Sequence, residues 1–267
     1  MSIQRTVPER AISGVEMVIK VAVILFMLVP AALVVVLSFS AEKNVAFPPT
    51  HWGFKQYSDL FGSSYWMSSV GTSFVIALPA ALVAVAVGVP AVIALERTRL
   101  PGKPVLRILG IAPLILPGVA YAVALYTFYV DAGLVGTRLG VILADSMLSL
   151  PFVFLVVSAS LKRISADLEL VAMSLGATRL RATFGITLRL LAPAIAAATI
   201  LAFVTAFDEA VLVNFVGGGQ VITLPKAIYD SVRTGLQPLI TAIATLLMLF
   251  TGLLMFGATR WRKGSAD

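Results

Sequence analysis

Residues 21–41, 60–95, 108–130, 190–207 and 236–259 each run without a single charged side chain, and a further stretch, 139–161, is interrupted only by Asp145. A hydrocarbon layer about 30 Å thick is crossed by about twenty predominantly apolar residues in helical form, because a helix satisfies its own backbone donors and acceptors where no water can. The runs therefore predict an all-α integral membrane protein of six transmembrane helices, over approximately 17–40, 67–95, 105–130, 138–161, 188–210 and 236–259. What lies between them is too short for an independent soluble domain, so residues 1–267 read as a single transmembrane domain. Composition agrees: 59% of the residues are hydrophobic and 12% charged, about half the charged share of an ordinary soluble domain.

Short cytoplasmic loops retain Lys and Arg, which orients the spans. Arg5, Arg10 and Lys20 precede the first span, Arg97, Arg99, Lys103 and Arg107 follow the second, Lys162, Arg163, Arg179, Arg181 and Arg189 follow the fourth, and Arg260, Arg262 and Lys263 follow the last. Alternate loops thus collect most of the basic charge, and both termini are predicted to be cytoplasmic. The opposite loops hold only Lys43, Lys55, Arg138, Lys226 and Arg233, in company with Glu42, Asp59, Asp131, Asp208, Glu209 and Asp230. The net charge of +7 is accounted for by these topology determinants beside anionic headgroups, and gives no reason to invoke nucleic acid. The first span is longer than a signal-peptide core and no small-x-small cleavage site follows it, so it reads as a retained anchor.

One charged insert breaks the apolar pattern, at residues 166–193. Leu168, Val171, Ala172 and Leu175 recur at helical spacing, with Asp167, Glu169 and Ser174 off that face. Ser165 suits the N-cap, and Asp167 the positive end of the helix. Gly176 ends the pattern, as a residue free to take positive φ, and Thr178 opens a second, basic turn with Arg179 and Arg181. The same spacing also fits an amphipathic surface helix of no special role.

This helix, followed by Leu175-Gly176-Ala177 and an apolar span, resembles the cytoplasmic "EAA" loop of ABC importer permeases, the loop that docks into the ATPase subunit. The family pattern is EAA, three residues, Gly, nine residues, then I-x-L-P. Anchored on Gly176, it places Leu170, Val171 and Ala172 at the leading positions and Ile186 and Leu188 in step. Two positions depart from it: Leu170 stands where the glutamate is usual, with Glu169 one residue earlier, and Arg189 stands where the proline is usual, with Pro193 four residues later. Residues 202–232 and 47–61 are similar to the corresponding parts of spermidine and putrescine permeases.

The resemblance implies a type I permease of six helices with a coupling loop at 163–187, in which Asp167, Glu169, Leu170, Val171, Ala172, Leu175, Gly176 and Ala177 meet the ATPase. It implies a multi-pass protein of the bacterial inner membrane, with no cofactor of its own. ATP and Mg would be bound by two partner ATPase subunits, a second and paralogous permease subunit would complete the pathway, and an extracytoplasmic binding protein would deliver substrate. The chain has no G-x-x-x-x-G-K-[ST] phosphate cradle, and Gly217-Gly218-Gly219-Gln220 lacks the lysine and hydroxyl such a cradle needs. No internal repeat is visible, as it would be in a transporter built from two halves of one chain.

Candidate pathway residues are few. Asp145 is a carboxylate inside an apolar span, which costs several kcal/mol unless it faces a polar cavity or a partner; the competing reading starts the span later and leaves Asp145 among the headgroups. Asp208 and Glu209 are neighbours at the outer end of the fifth span, roughly 100° apart if helical. Asp131 ends the third span near Tyr126 and Tyr129, and aromatic faces with a carboxylate suit an ammonium ion, although a solvated helix end explains Asp131 equally. His51 is the sole histidine and there is no cysteine, which argues against a metal centre or a catalytic relay. Phe47, Trp52, Phe54 and Tyr57 around it read either as an interfacial aromatic belt or as a contact for a binding protein. Pro79, Pro90, Pro113, Pro117 and Pro151 predict kinks within the spans.

Three functions remain in view. The first is an importer permease for a small organic cation such as spermidine or putrescine, with an opine or amino-acid derivative as the alternative cargo. The second is a secondary transporter or channel in which Asp145 or Asp208 carries a proton or lines an ion path. The third, a membrane enzyme using paired carboxylates, has no recognisable nucleophile to support it.

Overall fold

The structure is a computed structural model that describes residues 7–42, 44, 46–235 and 237–264. Arg5 and Lys43, two of the charges that orient the chain, and Leu236, which opens the last apolar run, lie outside these residues. The regular elements among the described residues are all helices, with one isolated antiparallel bridge, Ser40 to Trp52. They form two compact units.

The first unit contains α1 (Val7–Ser38), α2 (Lys55–Gly62) and the start of α12 (Leu239–Gly264). Helix α1 exposes apolar side chains all round, Phe26 and Met27 among them, as a lipid-facing helix does. Its C-terminal end is joined to α2 by a knitted loop. Glu42 Oε1 accepts from Thr50 N at 2.6 Å, Thr50 Oγ1 at 2.7 Å and His51 N at 3.3 Å. These bonds, that of the Thr50 hydroxyl foremost, hold the Glu42 carboxyl below its ordinary range. Gln56 Nε2 donates to the carbonyls of Ser40 and Glu42, and the rings of Phe39, Phe54 and Tyr57 cluster with centroids 5.5 to 6.1 Å apart. His51 joins the loop through its backbone N–H and carbonyl, and no metal-binding group of side chains exists among the described residues.

The second unit is built on α3 (Ser64–Arg97), α6 (Arg138–Leu161) and α9 (Leu188–Phe207). With no water to expel, membrane helices associate by close packing of small residues. Ala81, Ala84, Ala198 and Ala202 accordingly share a core with Val92, Val153, Val157 and Leu191. At Gly88 the approach is so close that a Cβ would stand 2.8 Å from Val153 Cγ1. Ser149 Oγ donates to the Ala202 carbonyl at 3.2 Å, fastening α6 to α9.

Between α3 and α6 the expected single span over 105–130 is instead two helices, α4 (Lys103–Ile115) and α5 (Gly118–Asp131), bent by 109°. Pro117 forces the break: Leu116 before it is extended (φ −78°, ψ 136°), and Pro117 serves as the N-cap of α5. After α6 come α7 (Asp167–Ser174), α8 (Arg179–Ala182) and a π turn, Thr183–Thr187, that runs into α9. Helices α10 (Val211–Val216) and α11 (Leu224–Thr234) follow. A second core joins α5, the start of α6 and α10 through Ala122, Tyr129, Val141, Ala144, Leu212 and Val216. Four described helices are long and apolar enough to cross a membrane, or five if α4 with α5 is one broken span; the described apolar part of α12 is shorter.

Candidate functional site

The insert at 166–193 folds as a helix, a turn and a return. The N-cap of α7 is Ala166 and not the expected Ser165, which stands one residue earlier and accepts from Asp167 N through its Oγ at 3.1 Å. The helix ends in a pair of bonds, Ala177 N to Ala172 O at 3.0 Å and Gly176 N to Met173 O at 3.0 Å, with Gly176 at φ +95°. This is the Schellman arrangement, which needs a residue without a Cβ penalty at the left-handed position. Thr178 Oγ1 then accepts from Arg181 N and opens α8.

The polarity of α7 is inverted relative to a helix on a soluble protein. Leu168, Leu170, Val171 and Leu175 point outward, Leu175 with 85% of its surface exposed, while Glu169 is buried at 7%. Further along, Leu180 and Phe184 extend the exposed apolar surface. Glu169 faces the bundle, where Thr187 Oγ1 donates to its Oε1 and Arg97 Nε lies 3.7 Å from the same oxygen. Asp167 and Ala177 sit at the two ends of α7, Asp167 exposed and Ala177 half-buried.

At the opposite end of the bundle, Asp145 occupies the second turn of α6 and has no exposed surface. Among the described residues neither of its carboxylate oxygens has a hydrogen-bond partner, and neither does the buried hydroxyl of Tyr121 on α5. Asp145, Tyr121 and Tyr129 lie within electrostatic reach of one another, and Glu209 acts on Asp145 as well. Tyr129 also lines an apolar groove of about 410 Å³ between α3, α5 and α6, together with Val87, Phe128 and Met147.

The other candidates are arranged differently. The fifth span ends sooner than 210: Phe207 closes α9, Asp208 is its exposed C-cap, and Glu209 accepts from Leu212 N at 2.7 Å to start α10. The two carboxylates are therefore not adjacent residues of one continuous helix. Asp131 ends α5 exposed, and Tyr126 is exposed on the same helix, so neither joins the group around Asp145. Lys226, although buried, is paired with Asp230 at 2.7 Å.

The family model described as "Binding-protein-dependent transport system inner membrane component" matches residues 87–262. The chain belongs to this family. Among its relatives is the putrescine transport system permease protein PotI of Escherichia coli (strain K12), 33% identical over 242 residues that cover 86% of this chain and 84% of that protein. The spermidine/putrescine transport system permease protein PotC of the same organism is 28% identical over 235 residues, covering 86% and 87%. The fold is that of a bacterial ABC transporter involved in the import of the acidic polysaccharide alginate: TM-score 0.70 at 17% identity, over 98% of this chain and 99% of that one.

The chain is thus the transmembrane permease subunit of an ABC importer, a transport component of the inner membrane. Three residues that the structure places at these sites of the permease escaped the sequence reading. Tyr121 lies eight positions before Tyr129 in an apolar run that also carries Tyr126 and Thr127, and nothing in the sequence sets its hydroxyl apart from theirs. Arg97 and Thr187 reach Glu169 from 72 positions upstream and 18 downstream, and a basic topology determinant and an ordinary threonine give no sign of such a destination.

Proposed function

We propose that this permease carries a small organic cation of the polyamine class into the cytoplasm by alternating access. The observation that carries the reading is Asp145: a fully buried carboxylate whose two oxygens find no partner among the described residues. In an apolar bundle such a group is costly, and an ammonium group passing beside it supplies the missing charge and donors. Tyr121 and Tyr129 add ring faces and hydroxyls of the kind that favour cations. The names of the relatives, putrescine and spermidine permeases, agree with this substrate class. Asp131, Asp208, Glu209 and Tyr126 then form an acidic rim through which the cation approaches.

The rest of the assembly follows from the same reading. Six spans, the third broken at Pro117 and the sixth being α12, cross the inner membrane with both termini cytoplasmic. A paralogous permease forms the other half of the pathway, and an extracytoplasmic binding protein delivers the substrate. The exposed apolar face of α7, with the turn at Gly176 and Ala177, docks on one of two ATPase subunits, which bind ATP and Mg. Asp167 and the terminal turns frame that contact. Closure of the ATPase pair then switches the pathway between its two openings.

Uptake of labelled putrescine into vesicles containing the complete transporter tests the substrate assignment. Asp145→Asn, Asp208→Asn and Glu209→Gln are each compared with the wild type while ATP hydrolysis is followed. Asp145→Asn should lose about tenfold or more in uptake, the effect of removing a charged hydrogen-bond partner from a buried site. Wild-type uptake by all three variants, or a preference of the intact transporter for an anion, would overturn the cation pathway and leave the importer assignment standing.

A further inference from the structure

We propose that Glu169 is an internal strut of the coupling element: with Arg97 and Thr187 it fastens α7 to the spanning helices, and it does not contact the ATPase. The proposal rests on the reading of α7 as the docking helix, and deepens it by assigning the two faces of that helix to separate tasks.

The geometry separates the faces cleanly. The outward one is apolar and exposed at Leu168, Leu170, Val171 and Leu175. The inward one holds a single charge, and that charge is enclosed. Glu169 Oε1 accepts the hydrogen bond of Thr187 Oγ1, a hydroxyl with no exposed surface, and faces Arg97 Nε at 3.7 Å. To touch a partner protein Glu169 would have to leave both, and leave Arg97 Nε, which has no hydrogen-bond acceptor among the described residues, without its ion pair.

What converges on this point is also informative. Arg97 is the last residue of α3, and its Nη2 donates to the Ile164 carbonyl at 2.7 Å, in the connection from α6 to α7. Arg179, the first residue of α8, returns a bond from its Nη2 to the Arg97 carbonyl at 3.1 Å. Thr187 is the last residue of the π turn that leads into α9. One buried carboxylate and two guanidiniums, those of Arg97 and Arg179, therefore join α7 and α8 to the ends of α3, α6 and α9, the three helices that share the main core. A π turn carries one residue more than the α-helical path and is often kept at functional positions; here it delivers Thr187. Displacement of α7 by an ATPase would reach α3 and α9 through this node as a rigid connection.

Threonine 187 offers a test that separates transmission from mere packing. Thr187→Ser keeps the hydroxyl and loses a methyl; Thr187→Val keeps the volume and loses the hydroxyl. Together with Glu169→Ala and Val171→Asp, these variants are made in the complete transporter, and two quantities are read: ATPase subunits retained on purification, and substrate taken up per ATP hydrolysed. Thr187→Ser should match the wild type in both. Thr187→Val and Glu169→Ala should retain the ATPase yet lose about tenfold in uptake per ATP, as the loss of a buried charge-assisted bond implies. The reverse order of the threonine variants, Val sound and Ser impaired, would make the site a packing position and overturn the strut. So would loss of the ATPase in Glu169→Ala, which would place the carboxylate at the partner interface. Val171→Asp should release the ATPase; if it does not, the docking assignment of α7 fails, and the strut with it.

Discussion

Gly176 lends itself to a quantitative test because its surroundings isolate one physical effect. Its φ of +95° is one that L-residues avoid, and an added Cβ would meet nothing within 4 Å. A Cβ placed there is therefore penalised by backbone strain and not by collision. For a residue with a Cβ in left-handed conformation that strain is about 1–2 kcal/mol, and for Asn, which visits the region more readily, it is smaller. The strain opposes the turn closed by the Ala177–Ala172 and Gly176–Met173 bonds, so it lowers the population of the docking-competent element. A change of 1–2 kcal/mol is a factor of about 5 to 30 in that population, and the apparent affinity for the ATPase falls by up to the same factor. Titrating purified ATPase onto membranes that contain the permease should therefore rank glycine first, Gly176→Asn second, and Gly176→Ala and Gly176→Leu together last. Gly176→Ala binding as tightly as the wild type would refute the argument.

Gly88 makes the opposite case, in which space decides. Gly88→Ala should lower the stability of the permease by about 1–3 kcal/mol, the usual cost of overpacking, and a second change, Val153→Ala, should recover part of it, because the collision is with Val153 Cγ1 at 2.8 Å; thermal unfolding in detergent measures both, and unaltered stability of the single variant would contradict the close approach of α3 and α6. The absence of cysteine from the sequence makes single-cysteine labelling a clean probe of orientation. Lys162→Cys should react only from the cytoplasmic side and Ala132→Cys only from outside, and the reverse pattern would invert the proposed topology.

The long helices were legible from the absence of charge, because a bilayer leaves an apolar run of that length little alternative to spanning it as a helix. The break at Leu116-Pro117 was not: proline marks a weak point, but whether it yields a kink or a bend of 109° is decided by the helices packed alongside. Glu169 was read correctly as lying off the apolar face of its helix. Periodicity divides a helix into two faces without saying which is turned inward, and in a subunit built to bind a partner the apolar one is turned out. The pair Asp208 and Glu209 was legible as chemistry and not as geometry, since nothing local announces that α9 stops at Phe207 and that Glu209 starts the next helix. Asp145 stood out because the bilayer makes any carboxylate anomalous; the company of Tyr121 depends on the meeting of α5 and α6.

The bend between α4 and α5 bears on how these two helices stand in the membrane. At 1.5 Å per residue the two helices, of 13 and 14 residues, are each about 20 Å long, well short of the hydrocarbon thickness of about 30 Å. Neither could be recognised as a membrane segment by itself, yet the uncharged run 108–130 that contains most of both is long enough to enter as one straight span. In the folded protein the two halves of that run part company, and α4 packs on α6 at the place where Gly110 lies against the ring of Phe154. Each half is thus too short to span by itself, and the bend leaves both dependent on the helices they pack against.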